Sequence, residues 1–209
     1  ATEYKPIVEK TNSGIDIVQI ASANSDGVSR NLYTWFDVDK NGLILNNATE
    51  YVNTQLGGYV DYNYRLGLRP AKIILNEVTS TNPSSINGFI EVAGHRAGVV
   101  IANANGIVVD NGGFINTSHA VFTTGKPIMN GSLDTYRVNG GNVTVTGQGL
   151  DAKTTDRFDI ISADADITAG IWGGDEINIV TGHNIVDATD LHNQKLDNAS
   201  AAKENTIDI

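Results

Sequence analysis

Apolar and polar positions alternate most regularly between Ala71 and Gly125, where short apolar runs are separated by turns rich in Asn and Gly. The centres of successive runs fall at Val100, Val108, Ile115 and Phe122, so a strand of three or four residues recurs every seven or eight, and three steps return after 22 residues. No helical pattern intervenes. Strands this short, joined only by turns, suit a chain that winds round a three-sided coil and stacks each strand on the one a turn below. An antiparallel sandwich is the alternative. Asn-Gly is the strongest hairpin dipeptide, and it occurs at Asn41-Gly42, Asn87-Gly88, Asn105-Gly106, Asn111-Gly112, Asn130-Gly131 and Asn139-Gly140. Hairpin strands usually need about five or six residues, and most runs here are shorter, which favours the coil.

The flanks are less regular. Residues 1–50 contain the alternating segment Ile15–Ile20 and two runs, Tyr33–Val38 and Leu43–Leu45, about the turn Asp39–Gly42. They read as an N-terminal cap, which a stacked coil needs over its open core. Tyr51–Pro70 carries four tyrosines and no repeat, and reads as a loop or hairpin leaving the coil. The beat loosens over Lys126–Asn139 and then resumes around Val143, Leu150, Ile160, Ile167, Ile171 and Ile179. The coils are thus expected over residues 71–186, in a single domain spanning 1–209 with no Pro/Ser-rich linker to divide it. Residues 187–209 form a polar tail in which Asn193–Lys203 is expected as a helical turn or a mobile excursion and Thr206–Ile209 as a further strand. A chain stopping on such an edge would be aggregation-prone, which points to the front piece of a longer protein.

Composition narrows the function. Asn numbers 23 and Gly 22, the two residue types that most readily enter left-handed backbone, so tight turns are many. A net charge of −10 with no basic run argues against nucleic acid or an anionic membrane surface as partner. There is no cysteine, hence neither a disulfide framework nor a thiolate metal site. Asp37-Val-Asp-Lys-Asn-Gly42 opens like a calcium loop, but position twelve is Ala48 where a bidentate Glu is needed, so a β-turn is expected. His95, His119, His183 and His192 are scattered without zinc spacing and read as surface or turn residues. Asp156, Asp159, Asp164 and Asp166, with Arg157, invite comparison with β-helical enzymes that cleave acidic polysaccharides, which need carboxylates converging on one face. Their positions beside turns make solvated carboxylates the expected outcome. No nucleophile elbow is present, and neither a catalytic residue nor a metal or cofactor site is expected.

Lys72–Val78, Asn82-Pro83, Glu91–Gly94, Val100–Ile107 and Gly112–Thr117 resemble the secretion domain of two-partner-secreted exoproteins, the haemagglutination-activity family. The likeness extends through Asn41–Asn47, Thr54–Gly58, Thr123–Gly125 and Ile179–Gly182, nearly the whole chain. It implies an all-β, right-handed parallel β-helix with an N-terminal cap and extra-helical hairpins. It also implies export without catalysis: capture in the periplasm by an outer-membrane β-barrel transporter, then folding at the cell surface, with no cofactor and the isolated domain a monomer. Downstream regions would meet host or neighbouring cells. The family's Asn-Pro-x-Gly-Ile signature corresponds to Asn103-Ala104-Asn105-Gly106-Ile107, without the proline that would fix φ at the first corner of a turn. Its second signature, Asn-Pro-Asn-Leu, is matched in Asp61–Tyr64 only at Asn63. These six residues are the candidate recognition motif. Some members carry a cysteine pair near Val109 and Gly112, and its lack here points toward the filamentous adhesin branch. Binding or cleavage of carbohydrate, and direct adhesion to host cells, are the rival expectations.

Overall fold

The computed structural model describes residues 2–196 and 204–208. It is a parallel β-helix whose turns stack in three columns. The first face carries Asp16–Gln19, Leu43–Asn47, Phe89–Gly94, the end of Ile107–Ile115, the end of Asn142–Ala152 and Ile171–Gly173. The second stacks Val28–Tyr33, Ile73–Val78, Ala97–Ala102, Thr117–Thr123, Arg157–Ser162 and Glu176–Thr181. On the third lie Ser84–Ile86, the start of Ile107–Ile115, the start of Asn142–Ala152, Asp164–Ile167 and Thr206–Ile207. Every pairing along these columns is parallel. That excludes the sandwich, and its cause is the sequence beat: Ile73 faces Gly98, Val99 faces Ala120 and Phe158 faces Ile177, steps of 25, 21 and 19 residues.

Alternation of side chains sets what lies inside. Ile107 and Val109 point into the core while Val108, between them, is 42% exposed. Val99 and Ile101 likewise point in and Val100 points out. The run centres therefore mark strand positions correctly but do not mark core residues, because a strand places alternate residues on opposite faces. Phe114 and Phe122, on adjacent faces of one coil, pack with Phe158 of the next, with ring centroids 5.4 Å apart for Phe114–Phe122, 5.8 Å for Phe122–Phe158 and 6.2 Å for Phe114–Phe158.

Where a step is long, the surplus chain leaves the helix and covers it. Val52–Thr54 and Gly58–Val60 form an antiparallel hairpin that lays Val60 over Ile17, Ile44 and Ala93 on the outside of the first face. Lys126–Asn130 and Ser132–Arg137 form a second, joined by Asn184–Asp187 and Asn193–Lys195 into a four-stranded antiparallel sheet. Its Leu133, Tyr136 and Val186, with Val138, cover Val28, Leu75, Val100, Val121 and Ile161 on the outside of the second face. This double burial explains why Ile73–Leu75 and Val99–Ile101 read as unbroken apolar runs.

Two expectations are corrected. Parallel stacking begins at Asp16–Gln19 and not at Ala71, so most of residues 1–50 is coil; the cap is the antiparallel strand Ile7–Lys10 with the 3-10 turn Thr2–Tyr4. The first two coils were hidden because the 24 residues between Asn47 and Lys72 break their period. Within Asn193–Lys203, residues Asn193–Lys195 are a β-strand and the remainder from 197 lies outside the described residues. The loosened stretch Lys126–Asn139 is a hairpin, ordered by packing that its sequence alone does not announce.

Candidate recognition site

The corner between the second and third faces holds the first motif. Ala97–Ala102 ends where Asn103, fully buried, closes an Asx turn: its Oδ1 accepts from Asn105 N at 2.9 Å and from Asn105 Nδ2 at 2.9 Å. Gly106 N donates to Asn103 O at 3.1 Å, and Gly106 takes φ +110, which a side chain would resist. Asn103 Nδ2 reaches up one coil to Asn82 O and Ser84 Oγ, both at 2.9 Å, while its backbone N reaches down to Thr123 O. Asn105 Nδ2 also donates to Ser80 O at 2.7 Å. The motif thus ties three coils together at one corner. Ala104 and Asn105 are exposed; Ile107 is core. A Cβ at Gly141, in the next coil, would come within 2.8 Å of Ala104 O, so the column is closely stacked.

Asn63 occupies a different corner, between the first and second faces, and the two motifs are not brought together. It is fully buried at the start of the 3-10 turn Tyr64–Leu66, with Nδ2 donating to Ile20 O at 2.9 Å and Asn46 O at 3.0 Å and Oδ1 accepting from Arg65 N. It pins the inserted segment back on the coil.

A pairing that sequence reasoning missed joins two of the family strings. Glu91, 4% exposed, accepts from Gln55 N at 2.7 Å and Leu56 N at 2.8 Å, docking the tip of the first hairpin. Two strings 35 residues apart, each ending in Gly, were the available signal; their partnership is visible only in three dimensions.

The acidic cluster does not converge. Asp156 is solvent-exposed and paired with Arg96, Asp164 and Asp166 sit on the third face, and Asp159 lies on the second with its side chain 0% exposed. Expecting solvated carboxylates is therefore wrong for Asp159, which is mid-strand and covered by the added sheet. It takes His119 Nε2 at 2.5 Å, Arg157 Nε at 2.9 Å and Asn178 Nδ2 at 3.0 Å. Arg157 Nη2 lies 2.8 Å away as an ion contact without an aligned hydrogen bond. Burial pushes the Asp159 carboxyl up, and hydrogen bonds from His119, Arg157 and Asn178 outweigh it, leaving the group below the usual carboxylate range. His119 is accordingly half-buried against the Asp159 carboxylate and not a free surface histidine. At the calcium-like loop, Asn41 N and Gly42 N close on Asp39, a β-turn. Among the described residues no three His, Cys, Asp or Glu side chains assemble a metal-binding group.

The protein is a capped parallel β-helix whose motif asparagines and Glu91 are spent on closing its own corners and docking its own hairpin. The chain belongs to the TPS secretion domain family, whose model matches residues 1–209. It is 46% identical over 185 residues to a protein named Toxin CdiA from Yersinia pestis, covering 88% of this chain and 6% of that one. A tRNA nuclease CdiA-2 from Burkholderia pseudomallei is 42% identical over 193 residues, 90% of this chain and again 6% of the relative. The crystal structure of a filamentous hemagglutinin secretion domain superposes with a TM-score of 0.84 at 31% identity, over 97% of this chain and 68% of that one. The chain thus spans about 6% of the length of the curated relatives it matches, and their names describe those whole proteins. The likeness at 42–46% to CdiA proteins means that lacking a cysteine pair does not place the chain with the filamentous adhesins. The chain is a secretion domain, a targeting unit and not a catalyst, of exoproteins displayed on the surface of Gram-negative bacteria.

Proposed function

We propose that this domain is the export address of a long exoprotein of the contact-dependent inhibition class, read by an outer-membrane β-barrel transporter from the periplasm before the coils close. The observation that carries this is the saturation of Asn63 and Asn103. Both are fully buried, and their amide groups are engaged by Ile20, Asn46 and Arg65 in one case and by Asn82, Ser84 and Asn105 in the other. A partner that reads these asparagines reads them on the unfolded chain, where extended segments can also pair with a strand edge. Closing the corners outside then withdraws them and buries apolar surface, which favours outward movement without a nucleotide. The test has two arms. Deleting Ala71–Gly125 from the full exoprotein should leave it in the periplasm. The purified periplasmic region of the transporter should bind the chain freshly diluted from urea and bind the prefolded chain far more weakly; equal affinity for both would overturn recognition before folding.

A further inference from the structure

The net charge of −10 conceals an uneven distribution. On the corner between the first and second faces, an open groove of about 490 Å³ is lined by Arg69, Lys72, His95 and Arg96, with Leu68 and Pro70 beside them. Arg96 is engaged by Asp156 at 2.9 and 3.0 Å. Arg69 and Lys72 make no ion pair among the described residues. The Lys72 methylenes run over Gly27, where a Cβ would come within 2.9 Å of Lys72 Cδ, so the stem is laid down and the ammonium presented at the groove.

The apolar element is at the rim. Leu66 is in the core, and two residues later Leu68 is 89% exposed. The turn between them is anchored: Gly67 takes φ +61, Arg69 N donates to Leu66 O, and Ala71 both donates to and accepts from the Asn47 amide. Asn63 holds the other end. A leucine presented on a turn tied at both ends is a projecting tip and not a fraying loop. Tyr62 and Tyr64 are exposed on the same insertion.

We propose that this corner contacts a membrane surface, with the basic groove taking phosphate-bearing lipid headgroups and Leu68 entering the acyl boundary, the exposed Tyr62 and Tyr64 being carried on the same insertion. Tyrosines suit the wet edge of that boundary. A lone convex apolar tip needs a matching cavity in a protein but none in a fluid layer, which favours lipid. The domain's display on Gram-negative cells places it beside such a surface. Since the whole chain is acidic, the patch acts only within a Debye length of about 8 Å, and attachment is salt-sensitive.

The purified chain should cosediment with phosphatidylcholine vesicles that contain phosphatidylglycerol and not with phosphatidylcholine alone. Arg69→Gln and Lys72→Gln should each weaken attachment about fivefold, and Leu68→Ser about tenfold, with thermal midpoints unchanged since all three are exposed. Because the chain has no cysteine, Leu68→Cys carrying an environment-sensitive dye reports insertion as a blue shift. Attachment to neutral vesicles alone, or indifference to the two charge removals, would overturn the proposal. So would displacement by millimolar inorganic phosphate, which would assign the groove to a free anion, or binding of the transporter's periplasmic region by the folded chain through these residues without vesicle attachment. This inference stands apart from the export reading, which concerns the unfolded chain.

Discussion

Replacing Asn103 by Ala tests whether the first motif acts through the fold. The change removes the amide that donates to Asn82 O and Ser84 Oγ and accepts from Asn105. Asn105 is exposed, so its freed N–H groups turn to water at little cost; Asn82 O keeps a long contact of 3.4 Å from Asn105 Nδ2. Ser84 is 1% exposed and its hydroxyl is left in the core corner without this partner. A lost neutral hydrogen bond costs about 1 kcal/mol and an orphaned buried hydroxyl about 1–3 kcal/mol, so the total should be about 3 kcal/mol. For a domain of ordinary stability this leaves a folded protein. Urea unfolding of the purified chain should show the midpoint lowered by about 1 M. Export of the full exoprotein should fall in parallel and recover in part on lowering the temperature or on adding a stabilising substitution elsewhere. An Asn103→Ala chain that unfolds at the parental urea concentration yet is not exported would refute this reasoning and make Asn103 a direct contact of the transporter.

Ala104→Pro restores the family's proline at an exposed turn position whose N–H makes no hydrogen bond, so it should raise stability by about 0.5 kcal/mol through the unfolded state and preserve or increase export, read by urea midpoint and by secreted fraction. A sharp fall in export at unchanged stability would mean that the partner reads another shape. Glu91→Ala strips two backbone N–H groups of their acceptor and should free the hairpin tip, costing about 3 kcal/mol and speeding hydrogen exchange at Gln55 and Leu56. The Asp159 carboxyl has a folded pKa below its unfolded value, so its contribution is complete above about pH 4 and is lost as pH falls through the lower, folded value. Asp159→Asn should therefore flatten the acid limb of stability against pH, and should cost about 3 kcal/mol at neutral pH by leaving Arg157 without its counter-ion. An unchanged acid limb would show that other carboxylates set it.

The repeat of Val100, Val108, Ile115 and Phe122 made the coil legible, because coils without inserted chain use similar lengths per turn and the apolar runs report that length directly. The earlier coils were not legible. Val28–Tyr33 and Leu43–Asn47 are separated from their stacking partners Ile73–Val78 and Phe89–Gly94 by the insertion carrying Asn63, and a period cannot be read across a segment that leaves the helix. The site was legible in part. Asn103 and Asn63 were found as motif residues, but their burial was not, since a polar residue beside a turn is usually solvated and nothing local indicates the coil above. The burial of Glu91 and Asp159 was missed for the same reason: Glu91 is held by Gln55 and Leu56, 35 or more residues away, and Asp159 by His119, 40 residues away, besides its neighbour Arg157.

Local chain chemistry by itself thus determined the β-helix, the position of its turns and the family strings, because strand length, turn residues and period are properties of neighbours. Tertiary structure alone decided which side of each strand is covered. Val100 and Ile161 face outward yet are buried, because hairpins inserted at other corners fold over them, and Arg69, Lys72 and Arg96 share a groove because consecutive coils stack their corners. Those outcomes depend on contacts between residues distant in sequence, which a one-dimensional pattern does not carry.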